Sequence, residues 1–258
     1  MSNGAIQARP GKLAAPARLP GSGVRPDELS RSPLFDNVGT EVVERLAAAS
    51  STRRYPAGAS IIGAGERVDM LTIIGRGIVE MGCRNEQHDF GVLFLRERDL
   101  IMPAAALFDE PPLMAVRALT RVELIEMDPP GVRAALKQSP MLSLNLMKVM
   151  SGQWRAAVRN ILDRSCRSAA QRLAAFLLRF ADLQGGSPSV LPISKRALAM
   201  RLGITAESLS RALPIIADHG LYLRGRTVIV RDRAAIETFC GPNPYPGKDD
   251  RLLGVFAF

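Results

Sequence analysis

The apolar positions along the chain change period twice. Pro33-Leu34-Phe35 leads into residues 40–47, a short amphipathic helix for which Thr40 is the expected N-cap. Between residues 52 and 128 the apolar runs are short and rich in branched side chains: 60–62, 70–74, 77–81, 90–95 and 122–127. Pro56-Ala57-Gly58, Gly65-Glu66, Gly75-Arg76-Gly77, Asn85-Glu86 and Arg98-Asp99 divide them. Strands of this length and spacing predict a β-barrel or jelly roll. After Pro129-Pro130 the period becomes helical, giving a short helix over 131–137 and a long one over about 141–164. On the long helix Leu142, Leu146, Met150, Trp154, Ala157 and Ile161 recur every three or four residues as one apolar stripe. Such a stripe packs either on the barrel or on its copy in a second chain, and periodicity alone favours the barrel.

The last third reads helix, helix, helix, two strands. Residues 171–183, 194–202 and 205–219 carry the helical pattern, with Gly220 closing the third. Strands at 222–223 and 228–230 flank a basic tip, Arg224-Gly225-Arg226-Thr227. Ser194 and Thr205 are expected caps, and Gly203 permits a tight turn between two helices. Ala197, Leu198, Leu202, Ile204, Leu209 and Leu213 supply an inner face, so 193–213 has helix-turn-helix grammar. The outer face of the second helix presents Glu207, Ser208, Ser210 and Arg211. Arginine forks onto guanine O6 and N7, glutamate accepts from cytosine N4, and serine serves either role. A generic two-helix corner with a solvated face is the alternative, and the adjoining basic tip favours DNA because it suits phosphate contact.

Charge and chemistry agree with that reading. The formal net charge is +9, which favours a polyanionic partner. Cys83, Cys166 and Cys240 are far apart, odd in number and without C-x-x-C spacing, the pattern of reduced thiols in the cytosol. With His88 and His219 as the only histidines, neither a multi-histidine metal site nor an iron–sulfur cluster is expected. Residues 1–31 are basic and rich in Pro, Gly, Ser and Ala without an apolar core segment; they read as a disordered arm rather than a signal peptide. No run of about 20 apolar residues exists to span a bilayer. No G-x-S-x-G, P-loop, G-x-G-x-x-G or H-E-x-x-H motif points to an enzyme.

Over residues 34–240 the chain resembles the CRP/FNR family of bacterial transcription regulators. The resemblance rests on Tyr55-Pro56-Ala57-Gly58, Gly65-Glu66, Ile74-Gly75-Arg76-Gly77, Arg98-Asp99-Leu100, Ala106-Leu107-Phe108 and the segment from Gly203 to Arg211. It implies an α+β chain: a sensor of the cyclic-nucleotide-binding jelly-roll type (32–138), a dimerisation helix (139–165) and a winged helix-turn-helix (166–240), with a tail at 241–258. It implies homodimers on palindromic double-stranded DNA, RNA polymerase as a partner, a cytoplasmic location and no membrane. It moves Leu146, Met150, Trp154, Ala157 and Ile161 from core to dimer seam.

The spacing of Glu207, Ser210 and Arg211 resembles the FNR branch, which implies half-sites like TTGAT facing ATCAA. Thr205 and Ser208 frame the reading turn, and Arg224 and Arg226 form the wing. Pro214 departs from an ideal helix and predicts altered packing there. Where the family holds a cyclic nucleotide's phosphate with Gly-Glu and Arg-Ser/Thr pairs, this chain has Pro103-Ala104 and Pro112-Leu113; where it holds the base, Ala157-Val158. Cyclic AMP is therefore not expected, because an apolar set cannot neutralise a buried phosphate. Met102, Pro103, Leu113 and Met114, with Trp154 nearby, are expected to form either a collapsed core or an apolar pocket for haem or another apolar effector. A basic polyanion binder without sequence preference is the rival function.

Overall fold

The computed structural model describes residues 17–18, 23–84 and 89–241. His88, the Asn85-Glu86 turn, most of the expected arm and nearly all of the tail lie outside the described residues.

In chain order the elements are β1 (Ala17–Arg18), α1 (Pro26–Leu29), a 3-10 turn (Pro33–Phe35), α2 (Thr40–Ala48), β2 (Ser51–Tyr55), β3 (Ser60–Ile62), β4 (Leu71–Arg76), β5 (Ile78–Arg84), β6 (Asp89–Arg96), β7 (Leu100–Ile101), α3 (Pro103–Phe108), β8 (Ala115–Ala118), β9 (Val122–Met127), α4 (Pro129–Gln138) and α5 (Pro140–Cys166). There follow α6 (Ala169–Leu183), β10 (Ser189–Val190), α7 (Lys195–Leu202), α8 (Ala206–Asp218), β11 (Leu221–Arg224), β12 (Thr227–Val230) and α9 (Arg233–Cys240). The fold is α+β.

Two antiparallel sheets, β1-β2-β9-β4-β7 and β3-β8-β5-β6, face each other as the sensor sandwich. Leu71, Ile73, Ile74, Val79, Leu95, Val116 and Leu124 are at most 1% exposed within the sensor core. The Arg98-Asp99 turn joins β6 to β7 by polar contacts: Asp99 accepts the Arg96 N–H at 2.9 Å, and Ser32 Oγ donates to the Arg98 carbonyl at 2.8 Å. Burial pushes the Asp99 carboxyl well above the usual carboxylate range.

The long helix has two differently used faces. Leu142, Leu146 and Val149 sink into the sensor core, Asn145 Nδ2 donates to the carbonyls of Leu34 and Asp36, and Gln153 Nε2 donates to the carbonyl of Leu100. On the other face Met147, Trp154 and Ile161 are 60%, 71% and 63% exposed. Leu146, expected at the dimer seam, instead packs inside the barrel at 8% exposure, and Met147 takes the outward place. A continuous 3.6-residue stripe drifts relative to a seven-residue repeat, so one string of apolar residues serves both faces.

α1, β2, β7, α3, β8, β10 and α9 lie outside the predicted runs, and β1 and α1 fall in the segment expected as a disordered arm, where Val24 and Leu29 are instead buried in the sensor core. α2 also differs, since Gly39 is its N-cap and Thr40 is the first helical residue, with no side-chain cap.

Candidate nucleic-acid interface

The C-terminal core is built on α6. Ser168 and Gln171 form a reciprocal capping box at its start. Leu173, Ala174, Leu177 and Phe180 meet Leu198 of α7, Leu209 and Ile216 of α8, Val228 of β12 and Ile236 of α9 in one buried cluster. Arg233 of α9 forks onto both oxygens of Asp182 at 2.6 and 3.0 Å, fixing α9 against α6. The His219 and Phe239 rings stack 4.2 Å apart, tying the end of α8 to the same helix.

The expected helix-turn-helix is formed by α7 and α8. Ser194 Oγ accepts the Ala197 N–H at 3.2 Å and Thr205 Oγ1 accepts the Ser208 N–H at 3.1 Å, so both expected caps are made. Gly203 sits at φ +62, in the left-handed region, and a Cβ there would lie 2.8 Å from the Arg164 guanidinium of α5. The inter-helix turn is thus pressed against the end of the long helix. Beside it Arg201 is half-buried and donates to Asn160 Oδ1, and desolvation with the nearby Arg179 and Arg164 charges pushes its pKa down to about 10.

α8 is amphipathic. Leu209, Ala212 and Ile216 are buried, while Glu207, Ser210 and Arg211 are exposed on the opposite side. Arg211 Nη2 donates to Ser208 Oγ at 3.5 Å, a long contact that leaves the guanidinium's remaining donors open. Its own backbone N–H, the Thr205 hydroxyl and the Arg211 charge hold the Glu207 carboxyl below the usual carboxylate range, so it presents an ionised acceptor. Pro214 lies on the exposed face, and the helix runs from Ala206 to Asp218 without a break. Its missing N–H leaves the Ser210 carbonyl without the usual helical donor, on the side facing solvent.

The wing is a three-stranded sheet, β10-β12-β11, and its first strand adds to the two that the sequence pattern predicts. Arg224 and Arg226 are exposed at the β11–β12 turn around Gly225, which adopts φ +61. Neither guanidinium is engaged by another described residue.

The structure does not bring the residues of the expected effector set together around one space. Met102 and Pro103 are buried in the sensor core and Met114 packs half-buried against it. Leu113 is 90% exposed and Trp154 71%, so neither closes a cavity over them. The reason is local: the loop holding Leu113 is anchored through the Pro112 carbonyl, which accepts the Gly65 N–H at 2.8 Å, and this turns the Leu113 side chain outward. α3 itself is apolar from Pro103 to Phe108; among the described residues the buried charged side chains of the sandwich are the acids Glu80, Asp99 and Glu126, of which Glu80 pairs with Arg117, and the buried base Arg159 lies on α5. These residues do not fit the phosphate of a cyclic nucleotide.

A sandwich of two sheets joined by a long helix to a winged helix-turn-helix defines a DNA-binding transcription regulator with an appended sensor-type domain. A family model described as the cyclic nucleotide-binding domain matches residues 52–139, and one described as the Crp-like helix-turn-helix domain matches residues 171–239. The chain belongs to the CRP/FNR family of transcription regulators. It is 25% identical over 211 residues to a CRP-like cAMP-activated global transcriptional regulator of Mycobacterium tuberculosis, covering 79% of this chain and 94% of that protein. Over 83 residues it is 34% identical to the nitrogen fixation regulation protein FixK of Rhizobium meliloti, covering 31% and 38% of the two chains. Among solved structures, FixK2 from Bradyrhizobium japonicum has the same fold at TM-score 0.65 and 21% identity, over 75% of this chain and 98% of that one. A CooA mutant from Carboxydothermus hydrogenoformans superimposes at TM-score 0.66 and 17% identity, over 87% and 98%.

Proposed function

We propose that this regulator reads a palindromic operator as a homodimer, through helix α8 of each subunit, and that its sensor half takes no cyclic AMP. The observation that carries the reading is the exposed trio Glu207, Ser210 and Arg211 on the first turns of a capped, half-buried helix. Arg211 reads guanine, Glu207 the cytosine side and Ser210 a neighbouring thymine, with TTGAT-N4-ATCAA as the operator to try first. Arg224 and Arg226 of the wing hold phosphates without reading sequence. Two-fold symmetry puts the half-sites about one helical turn apart, roughly 34 Å.

The exposed seam on α5 supports the dimer. Met147, Trp154 and Ile161 are seven residues apart, with Met150 and Ala157 between them, which is the spacing at which two helices pair. Light scattering of the wild type should give twice the chain mass. Trp154→Glu, on the exposed face, should lower that mass, because a charge buried in the seam without a partner is costly. A monomeric wild type would remove the seam.

The sensor half retains the scaffold of a cyclic-nucleotide site without its anion partners. Calorimetry with cyclic AMP should therefore give no saturable heat at micromolar concentrations, although the mycobacterial relative is described as cAMP-activated. Saturable binding would mean that another cation reaches the phosphate. The domain limits expected from the sequence, RNA polymerase as partner and the cytoplasm as location belong to the same proposal. Among the described residues no helix is long and apolar enough to cross a membrane.

A further inference from the structure

On the outer face of the sensor sandwich three neighbouring strands carry a row of charge. Arg54 of β2 stands opposite Glu123 of β9, and Arg76 of β4 stands opposite Glu123 from the other side. Arg121 immediately precedes β9, two residues before Glu123. With Val122 they line an open cleft of about 400 Å³. The one carboxylate is already committed, since Glu123 pairs with Arg54. Arg76 and Arg121 are exposed, and neither guanidinium is bonded to any described residue.

The position of this cleft gives it meaning. Ile78, two residues beyond Arg76, is buried in the core cluster of the DNA-binding half, and Leu119, two residues before Arg121, packs against the same cluster. The cleft thus opens at the end of the sandwich that adjoins the DNA-binding half. Two guanidiniums unbonded by any described residue, beside a third, match the geometry of phosphate oxygens, which they can fork bidentately.

We propose that Arg76 and Arg121 bind the DNA backbone outside the operator, so that the sensor half extends the footprint. This rests on the reading of α8 as a DNA-binding helix. A run of phosphates is the favoured occupant because the cleft is open and adjoins the half that holds DNA. Each phosphate engaged adds about 0.9 to the salt slope, which is roughly 3.5-fold in affinity over a fourfold rise in salt.

The test measures anisotropy across a salt series with the full chain. One duplex carries TTGAT-N4-ATCAA alone; a second extends it on each side by about one helical turn, roughly 10 base pairs of arbitrary sequence. The wild type should bind the longer duplex more tightly and with a steeper salt slope. The double variant Arg76→Ala, Arg121→Ala should lose that gain and bind the short duplex as the wild type does, which also reports that it is folded. Arg76→Glu with Arg121→Glu should reverse the gain. A wild type that binds the short palindrome and gains nothing from flanks overturns the inference and leaves the reading of α8 standing. So does a gain that survives in both double variants. Cytidine monophosphate stabilising the wild type but not the alanine double variant, with no flank gain, would assign the cleft to a free phosphorylated ligand instead. Failure to prefer the palindrome over its scramble would strike the α8 reading itself.

Discussion

The two halves of this molecule have kept different things. In the sensor half the sandwich, its turns and the helix after β7 are in place, yet the positions expected to hold an anion are Pro103, Ala104, Pro112 and Leu113. In the DNA-binding half both the frame and the chemistry are present: two capped helices, a left-handed turn at Gly203, and a polar, exposed face on α8. A fold is held by its apolar interior, and that interior tolerates loss of a ligand's partners as long as the vacated positions pack. Pro103 and Ala105–Ala106 do pack into the sensor core, as the proposed absence of a cyclic-nucleotide site requires.

The halves are also joined more closely than a flexible hinge would require. Phe94 and Ile78 are sensor residues by strand membership but belong to the buried cluster of the DNA-binding half, and α7 packs against β6. Phe94 is 0% exposed. Phe94→Ala should have the largest effect of any single substitution, about 3–5 kcal/mol of unfolding free energy, and should separate one urea transition into two. An unchanged single transition would mean that the contact between the halves contributes little.

A second test concerns the DNA-binding half alone. Thr205→Ala removes the side-chain acceptor for the Ser208 N–H at the start of α8 and should cost about 1 kcal/mol. Because the cap orders the turn that bears Glu207 and Arg211, operator affinity should fall with it. Thr205→Ser should restore both. Loss of stability with unchanged operator affinity would show that α8 is held in place without the cap.

Much of this architecture is legible in the sequence because its signals are local. Caps at Ser194 and Thr205, the glycine between them and the alternation of α8 are spaced within a few residues, and each stands where the pattern predicts. α3 escapes the pattern because Pro103-Ala-Ala-Ala-Leu-Phe108 has no polar face to mark a period. α9 and β10 escape it because they are held by distant partners, the Arg233–Asp182 fork and the pairing of Ser189 with Val228. Periodicity does not separate the exposed face of α5 from its buried face, since Leu142, Leu146 and the half-buried Met150 continue the same stripe as the exposed Trp154. The arginine row at Arg54, Arg76 and Arg121 is invisible in one dimension, because only strand pairing brings those residues together.

The central claim is that α8 reads bases while the wing only holds phosphates, and one measurement separates these roles. Binding of the wild type, Arg211→Ala and Arg226→Ala to the matched palindrome and to its scramble is followed by anisotropy across salt. Arg211→Ala should weaken the matched site by about 1–3 kcal/mol per bidentate contact, and the scramble much less. Arg226→Ala should weaken both duplexes alike and reduce the salt slope by about one for each phosphate it no longer neutralises. If the two variants instead lower both affinities equally, α8 reads no sequence, and the chain is a basic protein that binds polyanions without preference.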